Sequence, residues 1–237
     1  MSPYEGEKRE EEKKAFEALI KLNELSIRAK ELEVKLYLCK RTPKGITTAD
    51  IKEFTEGLIY PDVEYEDGKL KFKNIELDEF KEIADKIREK LLQKGIAVVV
   101  TSQDVDKSAL AVAMVWELFL NADIGIVARV DFVNEENYSR FVRFITNYGD
   151  DLSNYIGKLL VLYDPNIKMK KIDDIEITIY NIIDGVNSMY HDAPKPLVLI
   201  VIPEKVYNKL DEKLRNVLEA YRFDVQQNLN LHSDRGE

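Results

Sequence analysis

Apolar and polar positions follow two different rhythms along the chain. From Ala15 to about Cys39, the residues Phe16, Leu19, Ile20, Leu22, Leu25, Ile27, Leu32, Leu36 and Leu38 recur at close to helical spacing. That predicts one long helix, or two, behind a charge-dense leader, Met1–Lys14. Pro43 and Gly45 break the pattern. Thr48 is placed to cap a short helix, Ala49–Leu58, with Pro61 beyond its end. Val63–Ile75 then alternates about Asp67-Gly68, a dipeptide suited to a tight hairpin turn whose central residues both need positive φ. Glu64 and Glu66 on one strand and Lys69, Lys71 and Lys73 on the other predict cross-strand charge pairing. Asp78–Lys94 sets Phe80, Ile83, Ile87 and Leu91 on one helical face and stops at Gly95.

From Ile96 the rhythm changes to continuous apolar strands separated by helices. Strands are predicted at Ile96–Thr101, Ile124–Val130, Leu159–Tyr163 and Leu197–Ile202, with a short last one near Phe223–Val225. Helices are predicted at Lys107–Leu120, Asn134–Asn147, about Ile175–Val186, and Glu204–Tyr221. Strands without a polar face belong to a parallel sheet covered on both sides, joined by right-handed crossovers. The expected fold is therefore α/β, a mostly parallel sheet with helices on both faces, in which the strands ending at Thr101 and Tyr163 are interior. The change of pattern near Gly95 divides the chain into an N-terminal helical and hairpin module, residues 1–95, lying outside the main sheet, and an α/β domain, residues 96–237.

Composition narrows the function classes. The chain has 237 residues, 45% of them hydrophobic and 33% charged, enough for a sizeable core under a highly charged surface. Glu and Lys supply much of that charge, a bias associated with thermophiles. A net charge of −9 speaks against general affinity for nucleic acid or anionic membrane. A single cysteine, Cys39, rules out an internal disulfide, and with only His191 and His232 a Cys- or His-rich metal site is excluded as well. No apolar run approaches a membrane span and no apolar leader is present, so a cytoplasmic location is expected.

The chemistry concentrates in Ile96–Leu110. A β-branched run ends at Thr101, a polar loop follows, and Lys107-Ser108 opens an apolar helix. This is the layout of a phosphate-binding loop, in which a buried strand delivers backbone N–H groups to a helix N-terminus. Lys107 and Ser108 fit that pattern, whereas Thr101 and Asp106 stand at its two glycine positions. Further on, Leu159–Tyr163 ends in Asp164, Leu197–Ile202 ends in Pro203, and Leu218–Val225 contains Arg222-Phe223-Asp224.

In this order the segments from about Ile96 to Leu231 resemble a P-loop NTPase of the AAA/RecA-like, additional-strand kind, and specifically the small AAA-type ATPases common in archaea. The resemblance implies that Thr101, Ser102, Lys107 and Ser108 contact phosphates. It also implies that Asp164, at the Walker B position, helps hold magnesium, that Leu197–Pro203 is the sensor strand, and that Arg222 is a candidate arginine finger.

The departures carry as much weight as the matches. Thr101 is β-branched and poorly suited to a left-handed turn. Asp106 and Asp104 put carboxylates where phosphates would sit, and two like charges about 4 Å apart cost roughly 4 kcal/mol at an effective dielectric near 20. Pro165 follows Asp164 where the family places its catalytic Glu, and Pro203 replaces the polar sensor residue.

Bland readings stand beside these. Asp104 or Asp106 makes a good helix cap, and Lys107 and Ser108 suit a helix start. Asp164 suits a turn before Pro165, and Arg222 suits a surface ion pair. His191 fits a loop, Trp116 fits the core side of its helix with Val112, Val115 and Phe119, and Lys168–Lys171 fits a solvated loop.

The leading expectation is a catalytically degenerate P-loop-fold protein acting through a protein partner or an oligomer, with no cofactor. The alternative is a nucleotide-binding or weak ATPase in which Lys107, Ser108 and Asp164 hold ATP and magnesium. A DNA-associated replication or mobile-element factor rests on family analogy alone.

Overall fold

A computed structural model describes residues 3–38, 63–66, 69–72, 77–102, 105, 107–148, 152–153, 157–189 and 194–225. The first helix, α1 (Pro3–Glu31), begins with Pro at a position where a missing N–H costs nothing. It ends where Glu33 takes a left-handed φ of 56° and the Val34 N–H reaches back to the Ala29 carbonyl at 2.8 Å. The chain then turns into strand β1 (Lys35–Leu38) rather than continuing as a helix to Cys39. Leu36 and Leu38 sit two apart, which suits a strand as well as a helix end. Strands β2 (Val63–Glu66) and β3 (Lys69–Phe72) form the expected hairpin, and their register sets Glu64 opposite Lys71 and Glu66 opposite Lys69. The predicted helix Ala49–Leu58 and the Asp67-Gly68 turn lie outside the described residues.

Helix α2 (Leu77–Lys94) leads into β4 (Ile96–Thr101), α3 (Lys107–Leu120), β5 (Ile126–Val130), α4 (Glu135–Thr146), β6 (Leu159–Tyr163), α5 (Ile172–Asn187) and β7 (Leu197–Pro203). The helix predicted over Glu204–Tyr221 is broken at Asn208–Asp211 into α6 (Glu204–Tyr207) and α7 (Glu212–Glu219), before the closing strand β8 (Arg222–Asp224). The sheet order is β1-β5-β6-β7-β4-β8. Every neighbouring pair is parallel except β1 against β5. β4 lies between β7 and β8, and β6 between β5 and β7, so both are interior and parallel as their apolar runs predict.

Alternation along the strands creates two cores. Val98, Val100, Val161, Tyr163, Ile200 and Ile202 face one side, under α1, α4, α5, α6 and α7. Ala97, Val99, Leu160, Leu162, Leu199 and Val201 face the other, under α2 and α3. This corrects the expectation that Ala15–Lys94 stands outside the sheet. β1 is its antiparallel edge strand, Leu25, Ala29 and Leu32 of α1 are buried on one face, and Ile83, Ile87 and Leu91 of α2 are buried on the other. α2 is tied to the end of α3 by a bidentate pair, Arg88 to Asp123, at 2.5 and 3.1 Å.

Gly157, just before β6, has φ +99°, and a Cβ there would lie 2.9 Å from the Gly125 backbone. The Tyr148 hydroxyl donates to its carbonyl. Gly157→Ala should therefore combine left-handed strain with a backbone clash and destabilise the protein by about 2 kcal/mol or more, read from urea denaturation.

A chain beginning at Asp78 would lose Leu25, Leu32 and Val34 from the core, each a contribution of roughly 1.5–3 kcal/mol. That sum is comparable with a typical total stability of about 5–15 kcal/mol. Such a chain is expected to show no cooperative thermal transition by circular dichroism.

Candidate functional site

The carboxyl ends of β4 and β6 and the start of α3 converge at the crevice where the connections from neighbouring strands leave to opposite faces, the usual ligand position of an open parallel sheet. Thr101 is the last residue of β4 and is fully buried, and Ser102 follows it. Lys107 and Ser108 are the first two residues of α3. Asp164 is the residue after β6, and its side chain has 0% exposure.

These groups meet. The Lys107 ammonium donates to Asp164 Oδ1. Ser108 Oγ lies 3.4 Å from both Lys107 Nζ and Asp164 Oδ1. The second carboxylate oxygen, Oδ2, accepts from the Arg129 guanidinium at 3.3 Å. Arg129 comes from β5, where the register sets it opposite Leu162, two residues before Asp164 and on the same face. The far side of Arg129 meets Tyr37 of β1, whose pKa is raised by burial although the guanidinium opposes the shift. The α3 face of the sheet thus carries a line of polar groups, Tyr37, Arg129, Asp164, Lys107 and Ser108, within an otherwise apolar core.

Sequence reasoning missed Arg129 and Tyr37. The available signal was one charged residue inside the apolar strand Ile126–Val130, because a cation in a doubly covered strand needs a buried partner. Tyr37 was hidden by the helix assigned to its segment.

The loop after β5 is fixed by reciprocal caps. Asn137 N–H donates to Asn134 Oδ1 at 2.9 Å, and Asn134 N–H donates to Asn137 Oδ1 at 2.7 Å. Asn181 adds a bond to the Val133 carbonyl at 2.9 Å.

Thr101 is extended and in register with Pro203. The left-handed turn expected to strain a β-branched residue does not occur at this position. Its hydroxyl and that of Ser102 are buried without a hydrogen-bond partner among the described residues. Asp104, Asp106 and His191 lie outside those residues. Pro165 is buried behind Asp164.

Around Asp164 the described residues are arranged as ion pairs. Both oxygens of the one carboxylate already face a cation, and among the described residues no group of three or more His, Cys, Asp or Glu side chains gathers. As arranged, the chemistry is neutralisation of a buried carboxylate by cations from α3 and β5.

Arg222 is not brought to this site. It pairs with Asp224 at 2.9 Å and Glu219 at 3.4 Å, and lies 4.7 Å from the centre of the Tyr207 ring, on the face opposite Lys107. Trp116 is half-buried, packing against the α3-face core and tilted on Phe119 at 5.9 Å. In the Lys168–Lys171 segment, Met169 is exposed and Lys170 lies over the Phe132 ring at 4.6 Å.

Removing the central carboxylate should be costly. Asp164→Asn leaves two cations facing each other and should lose about 3–5 kcal/mol in urea denaturation. Adding Lys107→Met should restore part of that loss, and additive losses would show that the two side chains are not coupled.

Beside Arg222, burial and a 2.8 Å bond to Glu219 raise the Tyr207 hydroxyl to about 12. A raised pKa favours the protonated folded form. Its contribution is complete below the unfolded value near 10 and is lost as pH rises through about 12. The urea midpoint should fall across that interval, and less steeply in Tyr207→Phe.

Comparison with protein-family models, with curated proteins and with solved structures returns no match. Function therefore has to be argued from the site itself.

Proposed function

We propose that this chain is a catalytically degenerate protein of the P-loop kind that acts by binding a protein partner or further subunits. The observation that carries this reading is the fully buried Asp164 carboxylate held by Lys107 and Arg129. In a working phosphate loop the lysine serves phosphates and the acid serves a metal. Here they serve each other, and Arg129 adds a second cation on the other carboxylate oxygen. The order of the sheet supports the additional-strand resemblance, since β7 stands between the strand that ends at Thr101 and the strand that leads to Asp164. Support for interaction comes from α1, where Phe16, Ile20 and Ile27 are 65%, 47% and 52% exposed although the helix is anchored to the core further along. Apolar side chains left uncovered on a long anchored helix suit a partner surface.

A second reading, a nucleotide-binding protein with an unconventional loop, draws on a different observation. Among the described residues the Thr101 and Ser102 hydroxyls are buried without hydrogen-bond partners after β4, where ligand oxygens would satisfy them.

Calorimetry with Mg-ATP separates the two readings. The first expects no binding tighter than millimolar, because a ligand must first displace Asp164 from Lys107. It also expects equal residual phosphate release from the wild type and Lys107→Ala. A micromolar dissociation constant, or a drop of about a hundredfold in the variant, would overturn it in favour of the second.

A further inference from the structure

We propose that the cavity between α1 and α4 binds a small phosphate ester carrying at least two negative charges. The two helices lie side by side on one face of the sheet, α1 seated through Leu25, Ala29 and Leu32 and α4 through Phe141, Phe144 and Ile145. Between them lies an open pocket of about 560 Å³ lined, among the described residues, by Arg28, Glu31, Leu32, Arg140 and Arg143. Arg140 and Arg143 are three residues apart on α4, which puts them on one side of the helix within a turn. Arg28 comes from α1, so among the described residues three guanidiniums and one carboxylate line the pocket, a sum of +2 in a chain of −9.

Three arginines elsewhere have found acids, Arg88 with Asp123, Arg129 with Asp164, and Arg222 with Asp224 and Glu219, although not every arginine has, since Arg215 Nε is buried without a partner among the described residues. The three at the cavity have no hydrogen-bond or ion-pair partner among the described residues. A solvated helix face mixes its signs, as α1 does nearer its start with Lys13–Glu17 and Lys14–Glu10. At the cavity the same sign recurs on two different helices. Guanidinium is planar and donates in a fork that matches two oxygens of one phosphate. The volume falls within the range of small-ligand sites, about 300–1,000 Å³, well above the need of a bare ion. Glu31 supplies an acceptor for a hydroxyl on the same ligand, and the buried Leu32 contributes an apolar surface. The occupant that uses all of these is a phosphorylated sugar-like molecule. The site lies on the face of the sheet opposite Lys107 and Asp164 and does not depend on the function proposed for them.

The test is calorimetry of the full chain with ribose 5-phosphate and with inorganic pyrophosphate, at low and high salt, with an oligoglutamate peptide as a third probe. Saturable binding of ribose 5-phosphate is expected, weakened by salt. It should fall about tenfold for each guanidinium removed in Arg140→Ala and Arg143→Ala. The pair Arg140→Lys and Arg143→Lys, which keeps the charge and loses the fork, should bind more weakly than the wild type. All of these side chains are exposed, so thermal unfolding should be unchanged. Lys107→Ala should bind as the wild type does. The proposal is overturned if neither phosphate compound binds, if the arginine variants bind normally, or if the loss appears in Lys107→Ala, which would put the ligand at α3. Tighter binding of oligoglutamate, lost in the same arginine variants, would overturn it in favour of an acidic protein segment.

Discussion

Alternate residues of β4, β6 and β7 point to opposite faces of the sheet, and nearly all of them are aliphatic. Such a sheet is stable only if both faces are roofed, because an exposed face would return many apolar side chains to water at roughly 1.5–3 kcal/mol each. The crossover helices after β5, β6 and β7 cover one face, and α3 alone follows β4 onto the other. α3 is too narrow for that face, and α2 completes it with Ile83, Ile87 and Leu91. On the crowded face α1 lies beside α4 and closes the edge where β1 pairs with β5. The N-terminal segment is therefore structural cover as well as a candidate for partner contact.

The same covering makes charge expensive inside the molecule. Asp164 leaves β6 at the carboxyl edge with no exposure, and an isolated carboxylate there would cost several kcal/mol. Lys107 from the start of α3 and Arg129 from β5 meet its two oxygens, so the charge is retained at the cost of occupying all three groups. The pair fixes the start of α3 against the end of β6 across the intervening β7. A ligand phosphate competing for Lys107 would have to draw it away from Asp164. Whatever the crevice does, its resting state is self-neutralised, and that couples any function there to the stability of the sheet.

How far this was legible in the sequence depends on the kind of signal. Continuous apolar runs located β4, β5, β6 and β7 and identified β4 and β6 as interior, because only a doubly buried strand can lack a polar face. Lys107 and Asp164 could be named from their places after such runs. Their mutual pairing could not, since it follows from strand order. β7 had to be inserted between β4 and β6 before the two loop ends could be placed, and adjacency in the sheet is not written in either segment. β1 was read as helix because Leu36 and Leu38 extend the spacing of Leu25 and Leu32, while the left-handed Glu33 that ends α1 carries no glycine to announce the stop. The break in Glu204–Tyr221 was missed for a similar reason, since Asn208–Asp211 contains neither Gly nor Pro.

Thr101 shows where reasoning by motif and reasoning by geometry part. A glycine is needed at the first position of a phosphate loop when the chain must turn there with positive φ or let a phosphate approach the backbone. In this protein the strand continues through that position, in register with Pro203, and a β-branched residue suits an extended backbone. The substitution is therefore no defect in the strand. Its consequence is that a hydroxyl replaces bare backbone at the carboxyl end of β4. Among the described residues both the Thr101 and Ser102 hydroxyls are buried without hydrogen-bond partners, whereas the Asp164 carboxylate beside them is closed by ion pairs on both oxygens.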